Sequence, residues 1–258
     1  YKKEFNYLLK GHFYYFDSEK KKFENEVEYW LNVLPKIKEL VNFNKSNKNI
    51  KKTSYEIKPI FIVGVPRCGS TLVEKIIASG THNIPAGEET GILSTFVKQK
   101  IIQKQSLEYE IEDFQIKLSE RYRQKGLIQE KSNYIFTDKT LDNFFYLGLV
   151  KQTFPNAKVI NCRRDPLSSI MSILKSNLPA VPWAHNLEHI FKYFDAYYRV
   201  IENFKKILPN FIYDLEFEKF VNDPENESKK LMKFCGLSWD IKCLEFYKRK
   251  DLIAKTSS

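Results

Sequence analysis

No apolar run in this 258-residue chain approaches the ~20 residues that a membrane-spanning helix needs, so no transmembrane segment is expected. Four cysteines, Cys68, Cys162, Cys235 and Cys243, form neither a C-x-x-C pair nor a metal-ligand spacing, which argues against a zinc site and against a disulfide framework. They read as free thiols of a reducing compartment, and a cytoplasmic location follows as the expectation. No dense basic run is interleaved with aromatic residues and no RNA- or DNA-binding signature occurs. Nucleic acid is therefore not an expected partner, despite a formal net charge of +10. An anionic small ligand accounts for part of that charge equally well. The first residue is Tyr1 and not methionine, which predicts a chain that begins inside a longer protein.

One further absence is chemical. Gly64-Val65-Pro66-Arg67-Cys68-Gly69-Ser70-Thr71 follows the apolar run Ile60-Phe61-Ile62-Val63 and opens the periodic stretch from Leu72 to Ser79. That is strand, loop and helix in sequence. The loop's N–H groups and the helix's positive end make a cradle for phosphate. The Gly64 to Gly69 spacing matches a Walker A loop, but Ser70 stands where its lysine should follow Gly69. Without that ammonium the loop can hold a 5′-phosphate but grips the β and γ phosphates of ATP poorly. Arg67 is the loop's cation, and Cys68 supplies a small side chain.

Elsewhere the chain alternates short apolar runs with longer amphipathic ones. Residues 1–56 read as a helical appendage and linker, with Phe23, Val27, Trp30, Leu31 and Leu34 on one face before Pro35, and an Asn/Lys/Ser-rich stretch at 42–52. Residues 57–258 read as one α/β domain. Strands are expected at 60–63, 134–136, 158–162 and 211–213, and helices at 72–79, 92–103, 111–126, 141–153, 167–176, 183–206 and from 224 to 235. Asp165 caps the helix that begins at Pro166. Strands alternating with helices predict a P-loop-like three-layer α/β fold, with a central parallel β-sheet flanked by helices. Ligands of such sheets bind at the C-terminal edges of the strands.

Three segments converge on that edge: the loop at 64–71, Lys139 after one strand and Arg164 after another. Together with Phe154-Pro155-Asn156-Ala157-Lys158-Val159-Ile160-Asn161-Cys162-Arg163-Arg164-Asp165, they resemble the sulfotransferase superfamily that uses 3′-phosphoadenosine 5′-phosphosulfate (PAPS). The pattern is most similar to the branch of tyrosylprotein sulfotransferases and bacterial sulfotransferases associated with tetratricopeptide repeats. The resemblance covers about residues 59–258. It implies a transferase that moves the sulfuryl group of PAPS to an acceptor hydroxyl, releasing adenosine 3′,5′-bisphosphate (PAP) and needing no metal.

The resemblance also implies roles. Pro66, Arg67, Cys68, Gly69, Ser70 and Thr71 form the 5′-phosphosulfate loop, where relatives usually read P-R-S-G-T-T. Arg164 and Ser172 form the 3′-phosphate site, a forked guanidinium with a helical hydroxyl eight residues on. Arg67 also has a catalytic part. The general base is a glutamate after the first helix; a gapless count from Arg67 gives Glu88, and Glu89 is its rival in Gly87-Glu88-Glu89-Thr90. Lys139 and Ser258 meet charge at the bridging oxygen. Two departures stand out: Phe217 replaces the tyrosine of a Y-E-x-L motif, and the chain stops at Ser258, before a segment that often adds a basic cofactor contact. His82 matches no base of this branch. His185 and His189, spaced i, i+4 without a third ligand, are expected to pack and not to bind metal.

The partners implied are an anionic nucleotide cosubstrate and a hydroxyl-bearing acceptor, with peptide tyrosine, saccharide and small alcohol all open. A non-catalytic PAPS- or PAP-binding protein of the same fold is the alternative, and a P-loop nucleotide kinase is a weaker one.

Overall fold

A computed structural model describes residues 2–37, 57–103, 111–129 and 134–249. Four strands, β1 (Lys58–Gly64), β2 (Ile135–Asp138), β3 (Lys158–Arg163) and β4 (Ile212–Glu216), form one sheet in the order β2-β1-β3-β4. All three pairings are parallel, with Ile60 opposite both Thr137 and Lys158, and Cys162 opposite Leu215. Parallel strands are covered on both faces, so their side chains need no polar alternation. Ile60, Phe61, Ile62 and Val63 show this, each at most 1% exposed. Burying each such side chain contributes about 1.5–3 kcal/mol.

Helices flank the sheet: α1 (Lys2–Ser18), α2 (Lys20–Glu28), α3 (Ser70–Ser79), α4 (Ile92–Ile102), α5 (Ile111–Gln124), α6 (Leu147–Thr153), α7 (Pro166–Ser176), α8 (Leu187–Ile207), α9 (Phe217–Asn222) and α10 (Pro224–Cys235). The expected α/β architecture is what the chain adopts. None of the described helices is long and apolar enough to cross a membrane.

Two long expected helices are divided, each for a local reason. The stretch 141–153 begins as a 3-10 turn, Leu141–Tyr146, and becomes α-helical only at Leu147. The stretch 183–206 is a 3-10 turn, Pro182–His185, followed by α8. Asn186 separates them: its side chain accepts from the N–H groups of Glu188 and His189 and so starts a new helix. Asp165 caps α7 as expected, accepting from the Ser168 N–H at 2.7 Å, with Pro166 in the first turn.

The amino-terminal helices share the core. Val27 and Leu34 are buried in it, Phe23 is buried beside His185, and Lys98 of α4 pairs with Glu26 at 2.8 Å. His12 of α1 is buried with its Nδ1 2.9 Å from Nδ1 of His185, and its Nε2 lies 2.8 Å from the Leu174 carbonyl near the end of α7. The ring of Phe23 stacks on His185 at 5.5 Å. After α2 the chain makes a π-turn, Tyr29–Val33, which carries Trp30 toward the C-terminal edge of the sheet. The expected linker from 42 to 52 lies outside the described residues.

Candidate active site

Where β1 ends, the chain must turn into α3 within a few residues. Arg67 (φ 71°) and Gly69 (φ 93°) both take left-handed geometry to do so. Only glycine fits at the second of these. A Cβ on Gly69 would lie 2.4 Å from Cδ2 of Phe217, the first residue of α9. The Phe217 ring is thus packed on the loop. Its other neighbour is Arg164, whose guanidinium carbon lies 5.0 Å from the ring centroid.

That stacking leaves the Arg164 Nη1 free to donate to the Arg67 carbonyl at 3.0 Å. Arg67 in turn donates from Nε to the Ser172 hydroxyl at 3.0 Å. Residues from two distant segments, Arg67 on one side and Arg164 with Ser172 on the other, therefore form one hydrogen-bonded cluster beside the amino end of α3. Cys68 differs from its neighbours: its side chain is fully buried against Cys162, on the core side of the loop. Hydrogen bonding to Cys68, with burial, pushes the Cys162 thiol well above its ordinary range. A thiol there fills space between the loop and β3 and leaves only the backbone of residue 68 for an anion.

A cleft of about 530 Å³ opens at this edge, a volume in the range of small-ligand sites. Pro66, Arg67, Gly69, Ser70, Thr71 and Arg164 form the cationic part of its wall. Trp30, Leu141, Asp142, Trp183 and Tyr193 form another part, and Glu89 contributes a carboxylate.

Glu89 reaches the cleft because its loop is anchored on both sides. On one side, Glu88 takes a left-handed φ of 53° and its N–H donates to the Glu74 carboxylate at 3.0 Å, while its carbonyl accepts from the Lys139 N–H at 2.8 Å. Gly87 passes so close to β2 that a Cβ would sit 2.1 Å from the Thr137 carbonyl oxygen. On the other side, the Thr90 hydroxyl donates to the buried Asp138 at 2.7 Å, an oxygen it shares with the Tyr122 hydroxyl, also at 2.7 Å. Between these anchors the Glu89 carboxylate accepts from Lys139 Nζ at 3.1 Å. The Lys139 side chain is 8% exposed and that of Glu89 63% exposed.

The gapless count had pointed to Glu88. The cleft wall contains Glu89 and not Glu88, whose backbone is committed to Glu74 and Lys139. Counting residues could not reveal this, because it depends on one left-handed turn in the loop. The structure brings Arg67, Arg164 and Ser172 together, with Ser172 bonded to Arg67 and not to Arg164, while Lys139 pairs separately with Glu89 of the cleft wall. Ser258 lies outside the described residues. His82 is bonded to Ser238, with Nε2 2.7 Å from its hydroxyl, and is not part of the cleft wall. His185 faces His12 and the Leu178 carbonyl.

Three site residues escaped the sequence reading. Glu74 is buried on the apolar face of α3, where burial raises its carboxyl above the ordinary range against the lowering effect of the Thr137 hydroxyl bond. A lone glutamate among Val73, Ile76 and Ile77 was the available signal. Asp142 is pushed up to about 7, chiefly by burial, with the charges of Asp138 and Glu89 adding to it. Trp30 looked like an ordinary member of a helical apolar face.

A family model described as "Sulfotransferase family" matches residues 59–241. An uncharacterized protein of Aquifex aeolicus is 31% identical over 215 residues, 78% of this chain. The match takes in only 28% of that relative, so the chain spans about a quarter of its length. Among solved structures, the sulfotransferase domain of the Synechococcus PCC 7002 olefin synthase superposes with a TM-score of 0.55 at 20% identity, covering 80% of this chain and 83% of that one. The sulfotransferase domain from the curacin biosynthetic pathway gives 0.51 at 18% identity, covering 74% and 77%. At such identities the likeness is one of fold.

Proposed function

Because the chain belongs to the sulfotransferase family, we propose that it transfers the sulfuryl group of PAPS to an acceptor hydroxyl. The observation that carries this reading is the cluster of Arg67, Arg164 and Ser172 at the amino end of α3. Two guanidinium groups and a helix terminus on one rim suit a nucleotide with phosphates at two positions. The left-handed pair Arg67 and Gly69 bends the backbone as an anion-binding loop requires.

In this reading Arg67 and the backbone of residues 68–71 hold the 5′-phosphosulfate, and Arg164 with Ser172 holds the 3′-phosphate. The nucleotide supplies a sulfuryl group already activated by its bond to the 5′-phosphate. The acceptor oxygen bonds to sulfur as the bridging S–O bond breaks, and the acceptor proton passes to a carboxylate. We assign that carboxylate to Glu89, on the cleft wall, and not to Glu88. Lys139, bonded to Glu89, and Arg67 are the cations that meet negative charge growing on the leaving phosphate. A contact from Ser258 to the same group, a reducing cytoplasmic setting and a division into an appendage at 1–56 and a catalytic domain at 57–258 are part of the same proposal.

The test is acceptor-dependent release of PAP from PAPS across phenols, saccharides and peptide tyrosines. Glu89→Gln is expected to lower kcat about 10²- to 10⁴-fold, the usual contribution of a positioned base, while Glu88→Gln is expected to stay within about fivefold of wild type, its backbone contacts being retained. The opposite order would return the base to Glu88. Absence of turnover with every acceptor, together with retained PAP binding, would favour the non-catalytic alternative.

A further inference from the structure

Asp142 is the one cleft carboxyl whose surroundings lack a countercharge. Glu89 has Lys139 at 3.1 Å, and the buried Asp138 is saturated by hydroxyl and N–H donors from Thr90, Tyr122 and Thr140. Among the described residues the Asp142 side chain has no ion pair and no hydrogen bond to another side chain; the only influence that favours its charged form is its own backbone N–H. The charges that act on it are acidic: Asp138 at the end of β2 and Glu89 in the 85–90 loop. The other titratable groups facing it are phenols, Tyr29 from the π-turn, Tyr146 from its own 3-10 turn and Tyr193 from α8. A carboxylate kept among apolar and acidic neighbours is costly, and the cost falls either when the group takes up a proton or when a cation arrives from outside.

The walls around it suit such a cation. Trp183 stacks on Tyr193 with centroids 3.8 Å apart at 12°, and both line the cleft with Trp30. Indole and phenol faces attract ammonium groups, and the attraction grows as water is excluded. The cleft therefore has two chemically distinct parts, guanidinium groups at the α3 loop and a carboxyl among aromatic rings.

Resting on the sulfotransferase reading above, we propose that the acceptor is a cationic hydroxyl compound, an amine-bearing phenol or alcohol, whose ammonium is held by Asp142 among Trp30, Trp183 and Tyr193. The amino-terminal helices then belong to the specificity site, because they deliver Trp30 to it. Burial holds the Asp142 carboxyl at about 7. Amine binding should therefore strengthen as pH rises through neutrality and the carboxylate forms, up to the point where the amine itself loses its proton.

Calorimetry on the full chain tests this with two probes that share a phenol and a shape, tyramine and 4-propylphenol, each titrated with and without saturating PAP. Tyramine should bind at least about tenfold more tightly at pH 7.5, the factor that about 1.4 kcal/mol of charge-assisted contact gives. It should tighten several-fold from pH 6 to pH 8. In Asp142→Asn the preference and the pH dependence should both vanish, with PAP affinity unchanged. Equal or tighter binding of 4-propylphenol, a flat pH response in the wild type, or failure of both probes to bind would overturn the proposal. PAP titrated alone reads the donor site separately, so loss of the acceptor inference leaves the nucleotide reading intact, and the titrations without PAP read the acceptor site even if the nucleotide fails to bind.

Discussion

Replacing Asp142 by asparagine should stabilise the protein, by a margin that develops as pH rises from about 4 to about 7. The unfolded carboxyl titrates at its ordinary 3.8, and burial in the fold moves it to about 7. Below pH 3.8 the group is neutral in both states and contributes no difference. Between 3.8 and about 7 the folded state keeps a proton that the unfolded state has released, so stability falls as pH rises, and above pH 7 the loss is complete. The separation between 3.8 and about 7 corresponds to about 4 kcal/mol. The carboxyl is only partly buried against the cleft, and water there reduces this to about 2–4 kcal/mol. Asparagine keeps the shape and removes the charge. Urea unfolding at pH 4, 5.5, 7 and 8.5 should show the Asp142→Asn midpoint nearly level with wild type at pH 4, above it by a margin that grows through pH 5.5 to about pH 7, and above it by an almost constant margin from there to pH 8.5. A variant equal to or less stable than wild type at pH 8.5 would refute the reasoning. It would mean that the carboxylate already has a favourable partner.

Two further perturbations address the loops. Glu74→Ala strands the Glu88 N–H and the Thr137 hydroxyl, both bonded to the same Glu74 oxygen; kcat should fall at least about tenfold with little change in PAP affinity, since small misplacements of a catalytic group are expensive. Glu74→Gln retains an oxygen for both bonds and should restore most of the activity, and failure of that rescue would show that the charge and not the anchoring matters. Gly69→Ala forces a Cβ to 2.4 Å from Phe217 at a left-handed φ, which should cost about 2–5 kcal/mol of stability from backbone strain and overpacking together. Adding Phe217→Ala should recover only the overpacking share, and a Gly69→Ala protein of wild-type stability by thermal unfolding would contradict the packing described.

The parallel sheet was legible because four short apolar runs were each followed by a loop and a helical pattern, and buried strands need no other signal. The loop from Gly64 to Thr71 was equally plain, since glycine at residue 69 and a missing lysine at residue 70 are statements about backbone and charge that survive folding. Arg164 could be placed at a strand's end from the pattern, and Ser172, eight residues on in the same strand-to-helix unit, only through the family resemblance. The acceptor side was different. Glu89 rather than Glu88 faces the cleft through one left-handed turn, a choice worth about 1–2 kcal/mol locally that Glu74 and Lys139 decide from other elements. Asp142 and Trp30 become neighbours of the site only when a π-turn after α2 and a 3-10 turn after β2 meet. No local pattern encodes that meeting.

Titration of PAP into the full chain in the presence of EDTA, repeated with Arg67→Ala and Arg164→Ala, tests most directly whether one rim of the sheet holds a doubly phosphorylated nucleotide. One site per chain is expected, with each substitution weakening it about 10- to 150-fold, as loss of a charged hydrogen bond worth about 1.5–3 kcal/mol requires. Binding left unchanged by both substitutions, or no binding to the wild-type chain, would contradict the account.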